Sequence, residues 1–313
     1  MSSGLDIHLA SEAERLAAFR NVRDIWGAGL SMDVHIARRV RSPQHKRADW
    51  FVGCVDGQVV SSLASYPLLF RICGKVLRGI AIGSVHTVEQ FRQNGHAAEV
   101  VQFAEQHAQA KKSAISLLYS DIAPDYYSKM GYVQCPSWEC GGLTKNALEL
   151  AEELGGNLVL FAAADKLSFI SQMYNTYHNQ LPITVARDES YWKFLLQKDD
   201  YDRFFWVQRP SGKVIGFVRI SNEAASVRIK DFAIVDQQES TAQVFYATIV
   251  RAVQEWDLQG FKGWLPENDV VKEFFNLQPR SREITMLKSL HSDVKIAGTG
   301  VKNTNYFCEI DHV

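Results

Sequence analysis

One stretch limits what this chain can fold into more than any other. An apolar run, Gly79 to Val85, leads through Arg92-Gln93-Asn94-Gly95-His96-Ala97 into a segment where Ala97, Val101, Ala104 and Ala108 recur at helical spacing. The run reads as a buried strand. The spaced residues read as one face of a helix, with Glu99, Gln102, Glu105 and Gln109 on the others. Between them stands Arg-x-x-Gly-x-Ala. A glycine lets the backbone come close to a ligand. The first amides of a helix have no internal partner, and with the helix dipole they bind phosphate. Arg92 at the mouth adds a charge-assisted donor.

With Val85-His86-Thr87 before it, Arg92-x-x-Gly95-x-Ala97 resembles motif A of the GNAT (Gcn5-related) acyltransferases. In that family the loop holds the pyrophosphate of acetyl-CoA. About two dozen residues on, Leu117-Leu-Tyr-Ser-Asp-Ile-Ala-Pro-Asp-Tyr-Tyr127-Ser-Lys-Met-Gly-Tyr132 resembles the family's strand, short helix and closing Tyr-x-x-x-Gly-aromatic phrase. The resemblance implies acetyl-CoA as co-substrate and no metal. It implies that Val85, His86 and Thr87 offer backbone groups to the pantetheine arm and the acetyl carbonyl. Gln93, Asn94, Gly95, His96, Ala97 and Ala98 would supply the pyrophosphate amides, with the His96 side chain turned to solvent. Ser120 and Asp121 would stand near the cofactor arm, unless either caps the next helix. Tyr127 aligns with the family's catalytic tyrosine, whose hydroxyl lies near the sulfur. Two adjacent parallel strands would splay to admit the pantetheine arm, whose amides then satisfy the unpaired backbone.

The 313 residues suffice for two domains. Around them the order reads strand, two helices, three strands, helix, strand, helix. Ser11 and Glu14 form a prospective capping box, Asp56-Gly57 a primed hairpin turn, and Arg41 to Asp49 a polar loop. At Gly141-Gly142 the pattern resets and the same order recurs. The fold class is therefore α/β (α+β layered), with a catalytic domain over residues 1–145 and a degenerate copy over 146–313, each a mixed sheet flanked by helices. Where motif A should recur the second copy reads Val235-Asp-Gln-Gln-Glu-Ser-Thr241, without glycine and with two acids that would repel a pyrophosphate. Phe274-Phe275 replace the tyrosine pair. One cofactor site is expected, in the first half. Two-copy chains of this kind resemble Eis-type acetyltransferases and fungal lysine N6-acetyltransferases. Ile25-Trp-Gly-Ala-Gly-Leu-Ser31 is closer to the latter.

A net charge of −1 gives no electrostatic case for nucleic acid or an anionic membrane. No apolar run is long enough to span a bilayer, and Met1 to Asp6 shows no secretory signal. Five scattered cysteines without a Cys-x-x-Cys pair read as thiols of a cytoplasmic protein. Homo-oligomerisation stays open.

The resemblance implies a small-molecule primary amine as acceptor, with lysine or a related amine preferred. Such an amine must lose its proton, and its ordinary pKa is about 10.4. His86, on the strand face opposite Val85 and Thr87, is the first candidate base. Glu89, the chain's terminal carboxylate at Val313 and a water chain are the others. Asp33, Asp188, Glu189 and Asp231 are candidate acidic walls for a cationic acceptor, and Trp26, Tyr191 and Trp192 candidate apolar ones. An aminoglycoside, polyamine or protein-lysine acceptor is an alternative, as is a non-catalytic module that senses acyl-CoA.

Overall fold

The computed structural model describes residues 4–199, 201–258, 260–294, 296 and 306–313. Met1 to Ser3, part of the segment read for a leader, lie outside them. The first half runs β1 (Asp6–Leu9), α1 (Glu12–Asn21), α2 (Arg23–Trp26), α3 (Met32–Arg41), α4 (Pro43–Arg47), β2 (Asp49–Val55), β3 (Gln58–Ile72), β4 (Lys75–Thr87), α5 (His96–Ala110), β5 (Ile115–Ser120), α6 (Asp125–Ser128), β6 (Val133–Gln134) and β7 (Trp138–Leu143). The second half runs α7 (Ala147–Leu154), β8 (Asn157–Phe161), α8 (Leu167–His178), β9 (Ile183–Ala186), α9 (Glu189–Lys198), β10 (Arg203–Gln208), β11 (Val214–Glu223), β12 (Ser226–Ile234), α10 (Glu239–Glu255), β13 (Gly260–Gly263), α11 (Asp269–Phe274), β14 (Phe275–Pro279) and β15 (Ile284–Ser289).

Local signals act as expected at several points. Ser11 and Glu14 close a capping box on α1. Asp56 and Gly57 take φ of 49° and 77°, which a primed turn needs. The polar loop expected over Arg41 to Asp49 is instead interrupted by α4. Ser42 caps it and Pro43 sits in its first turn, where the missing N–H costs nothing.

The first sheet has the order β1-β2-β3-β4-β5-β15-β6, and the second β13-β12-β11-β10-β8. The second half lends two strands to the first sheet. β15 pairs antiparallel with β5, and β9 with the far end of β3. One face of the first sheet (Phe51, Leu63, Ile80, Ile82) packs on Val100, Val101 and Ala104 of α5 and on Tyr127 and Tyr132. The other face joins a continuous core that reaches from Phe19, Trp50 and Tyr66 to Trp192, Phe217 and Phe245 of the second half. Among the described residues no helix is long and apolar enough to cross a membrane. All five cysteines are free thiols.

Candidate acyl-CoA site

Strands β4 and β5 pair in parallel from Gly79↔Ile115 to Ile82↔Leu118, and there the ladder stops. On the other side β4 stays paired with β3, but Ser62 faces His86 and Ala64 faces Gly83. Three residues of β4 therefore span two of β3. The bulge centres on Ser84, whose φ is 53°. A bulge bends its strand, and this one turns Gly83–Thr87 away from β5. The edge of β4 that faces β5 loses its ladder partner there.

The loop after β4 presents donors. Gln93 and Gly95 have φ of 66° and 83°, and α5 begins at His96. The Glu99 amide makes the first helical bond, 3.1 Å to the Gly95 carbonyl. The amides of His96, Ala97 and Ala98 precede it and have no partner within the helix. Gly95 is exposed, and the only atom within reach of a Cβ there is the Glu99 carboxylate at 3.9 Å. Arg92 is exposed and donates through Nε to the Thr87 carbonyl at 3.0 Å, which pins the loop to the end of β4. Asn94 Nδ2 donates to the Phe91 carbonyl at 3.3 Å.

Tyr127 is buried on the α5 side of the sheet, in one apolar cluster with Val85, Ile82 and Leu118. Its ring meets Tyr126 and Tyr132 edge-on at 5.1 and 5.9 Å. Burial pushes its hydroxyl pKa up, helped by Tyr126 and Asp121. The phenol thus keeps its proton near neutrality and can donate it. His86 is buried, and its Nδ1 has no hydrogen-bond partner. Burial, then the Arg92 charge, lowers its pKa, so the ring is neutral and able to accept a proton.

Residues 6–135 match the family model for the acetyltransferase (GNAT) domain. Taken with the parted strands and the open helix start, this decides the matter. Residues 6–135 are a GNAT acetyltransferase domain.

Solved structures extend the likeness of fold to most of the chain. A conserved protein of unknown function from Enterococcus faecalis V583 matches over 92% of this chain and 72% of its own, at 14% identity and a TM-score of 0.71. Eis1 from Mycobacterium abscessus matches over 91% and 73%, at 15% identity and 0.58. The Saccharomyces cerevisiae N-myristoyltransferase with bound myristoyl-CoA matches over 92% and 83%, at 10% identity and 0.57. Among curated proteins none matches by sequence. The GNAT fold takes an acyl-CoA, and the protein is an acyltransferase by its domain.

Not every residue expected in the GNAT site does what was expected. His96 is buried, with Nδ1 3.9 Å from the Glu99 carboxylate, and does not face solvent. Ser120 closes its own turn, donating to the Ile122 carbonyl at 2.8 Å and accepting from the Ile122 amide at 3.3 Å. Asp121 accepts from the Glu283 amide at 3.3 Å. Neither caps α6, whose N-cap is Pro124. Of the residues expected to wall the acceptor, Asp188 and Tyr191 line one cavity. Asp33 is exposed at the start of α3. Asp188 caps α9 at 2.7 Å, and Glu189 pairs with Lys193 at 2.6 Å. Asp231 is held by Arg187 in a buried pair at 2.6 and 3.0 Å. Trp192 and Tyr191 belong to the core. Glu89 is exposed.

The C-terminal segment does reach back. Its carbonyl at Val313 lies 3.2 Å from where a Cβ on Gly83 would sit, a tight approach that a larger residue would crowd. The His312 ring lies 5.0 Å from Tyr119 of β5. Val313 thus lies beside Gly83 at the point where the strands part.

Proposed function

We propose that the protein transfers an acetyl group from acetyl-CoA to the primary amine of a small molecule, lysine or a relative first among them, in a ternary complex. The observation that carries this is the gap between β4 and β5. It begins at Gly83, has the unpaired amides of α5 along the same connection, and has Tyr127 in the cluster that lines its α5 side.

The residues divide the work. The amides of His96, Ala97 and Ala98 hold the diphosphate, with Gln93, Asn94 and Gly95 shaping the turn. Backbone groups from Val85 to Thr87 align the pantetheine arm and polarise the acyl carbonyl. The amine nitrogen forms the new C–N bond as the C–S bond breaks. Tyr127 passes its proton to the departing sulfur. The amine's proton goes to His86, or to the terminal carboxylate beside Gly83 if Val313 ends the chain. Ser120 and Asp121 brace the β5 end of the gap.

A thiol-release assay over a panel of amines tests the proposal. We expect turnover with at least one primary amine. Tight acetyl-CoA binding with no acceptor among amino acids, polyamines, aminoglycosides and peptides would instead make this a sensor of acyl-CoA.

A further inference from the structure

A cluster near the N-terminus lies apart from the acyl gap. β1 is the outer strand of the first sheet, and β2 and β3 separate it from β4. Its register sets Asp6 opposite Cys54 and His8 opposite Val52. Successive side chains on a strand point to opposite faces, so Asp6, His8 and Cys54 share one face. α1 packs on that face, with Ala18 and Phe19 in the same core as Val52 and Cys54. Its first turn brings Glu14 to the other three.

Three ligand atoms of different chemistry converge there. Glu14 Oε1 lies 2.8 Å from His8 Nε2 and 3.9 Å from Cys54 Sγ. All three atoms lie within 4.8 Å of one another, the one such group of metal-ligating side chains among the described residues. Their surroundings hold them in place. Glu14 Oε2 accepts from the Ser11 amide at 2.8 Å and from the Ser11 hydroxyl at 2.6 Å, which leaves Oε1 for His8 and Cys54. Behind the imidazole, Nδ1 stands 3.5 Å from the Asp6 carboxylate. A carboxylate behind a histidine and hydrogen bonds behind a carboxylate are the outer contacts that orient metal ligands. A capping box with a His–Glu pair needs no thiol, yet the buried Cys54 sulfur faces the same oxygen.

We propose that His8 Nε2, Glu14 Oε1 and Cys54 Sγ bind one zinc ion, with Asp6 and Ser11 as their outer partners and a water as the fourth ligand. An imidazole, a carboxylate and a thiolate suit zinc, whereas Mg²⁺ and Ca²⁺ take oxygen ligands. The two anionic ligands balance the charge of Zn²⁺. The Cys54 thiol gives its proton to solvent as the sulfur binds. Ligands of a tetrahedral zinc stand about 3.3–3.5 Å apart, so His8 and Glu14 open slightly and Cys54 closes in. The ion ties the outer strand β1 and the start of α1 to β2, and the inference is independent of the acyl-transfer reading.

The test titrates the untagged full chain, cleared of metal by dialysis against a chelator, with Co²⁺ and then with Zn²⁺ as competitor. A cobalt–thiolate bond gives a near-ultraviolet charge-transfer band. The wild type should take one Co²⁺ per chain with that band, and one Zn²⁺ should displace it. Cys54→Ser should lose the band, and Cys73→Ser, at the exposed cysteine, should keep it. Asp6→Asn should weaken Zn²⁺ binding by roughly 10- to 100-fold, the cost of an outer contact, and His8→Gln by more. Zn²⁺ should raise the melting temperature of the wild type and leave that of His8→Gln where it was. No binding by the wild type in the micromolar range overturns the inference, as does a band that survives Cys54→Ser or vanishes in Cys73→Ser. Equal Zn²⁺ affinity in the wild type and His8→Gln overturns it even if Cys54→Ser does not fold.

Discussion

The chain contains the same unit twice, and only one copy is left open. In the first, β4 and β5 run parallel with α5 between them. In the second, β12 and β13 run parallel with α10 between them. The parallel ladders match, 79–82 on 115–118 and 226–229 on 260–263. Both central strands are bulged, at Ser84 and at the shift opposite Arg219/Ile220. The difference lies in what fills them. At the start of α10 the Asp236 carboxylate accepts from the Gln238 amide at 3.0 Å and from Thr241 Oγ1 at 3.3 Å. The protein's own anion thus bonds the residue that caps this helix. Beyond the ladder, Asp231 of β12 is tied through buried Arg187 to Asp311 of the C-terminal segment. At the start of α5 the nearest carboxylate is that of Glu99, 3.9 Å from the Gly95 Cβ position, and Gly95 itself is exposed. A strand–helix unit is thus a joint or a site according to whether the chain's own groups finish it.

The comparison breaks or sharpens under five tests. The largest effect should come from Arg187→Met, which leaves Asp231 and Asp311 facing each other unpaired. We expect a loss of about 3–5 kcal/mol in urea unfolding. An unchanged midpoint would mean the second unit does not depend on its plug. Next, Gln93→Asp should give α5 a carboxylate two residues before its N-cap, where α10 has Asp236. Acyl-CoA affinity should fall by roughly 100-fold in calorimetry, since like charges repel at close range. The converse change, Asp236→Gly, should leave the stoichiometry at one acyl-CoA per chain, because Arg187 and Asp311 still occupy the second unit.

Tyr127→Phe should lower kcat by about 30- to 100-fold with KM for acetyl-CoA unaltered. Its hydroxyl makes no hydrogen bond to the protein among the described residues, so the melting temperature should hold. A drop in stability equal to the drop in rate would assign the phenol to packing. The smallest effect is on pH dependence. Each half holds a histidine that resists protonation. Desolvation and the Arg39 charge hold His45 down to about 4, and burial drives His178 well down. In the unfolded chain both take a proton near pH 6.5. The unfolded state therefore binds more protons as pH falls below about 6.5, and stability declines from there down through the folded pKa values. His45→Gln should flatten part of that decline, and a profile with no slope between pH 6.5 and 4 would contradict it.

Several local features of the candidate site are legible in the sequence, because each is set within one turn of chain. Gly95 needs a positive φ, Ser11 and Glu14 meet within one turn, and the apolar spacing after Ala97 is a property of one helix. Tyr127 was legible only through its resemblance to a family phrase. Other features resisted for an equally physical reason. Thr285↔Tyr119 and Phe70↔Val185 are pairings between distant parts of the chain. The strand Ile183–Ala186 is buried throughout and shows no alternation to read. The Ser120 hydroxyl bonds the Ile122 carbonyl at 2.8 Å, a partner that the residue types alone do not reveal.

What the sequence by itself determined lies within reach of a few bonds: the capping box of Ser11 and Glu14, the turn at Asp56-Gly57 and the helix that opens after Gly95. The tertiary structure alone decided which charges have partners. Asp231 reads as an open acid in sequence and is neutralised in space by Arg187. Arg39 reads as one of many surface arginines and, among the described residues, is buried without a counterion. Coulomb energy depends on distance and burial, and neither is written in the order of the residues.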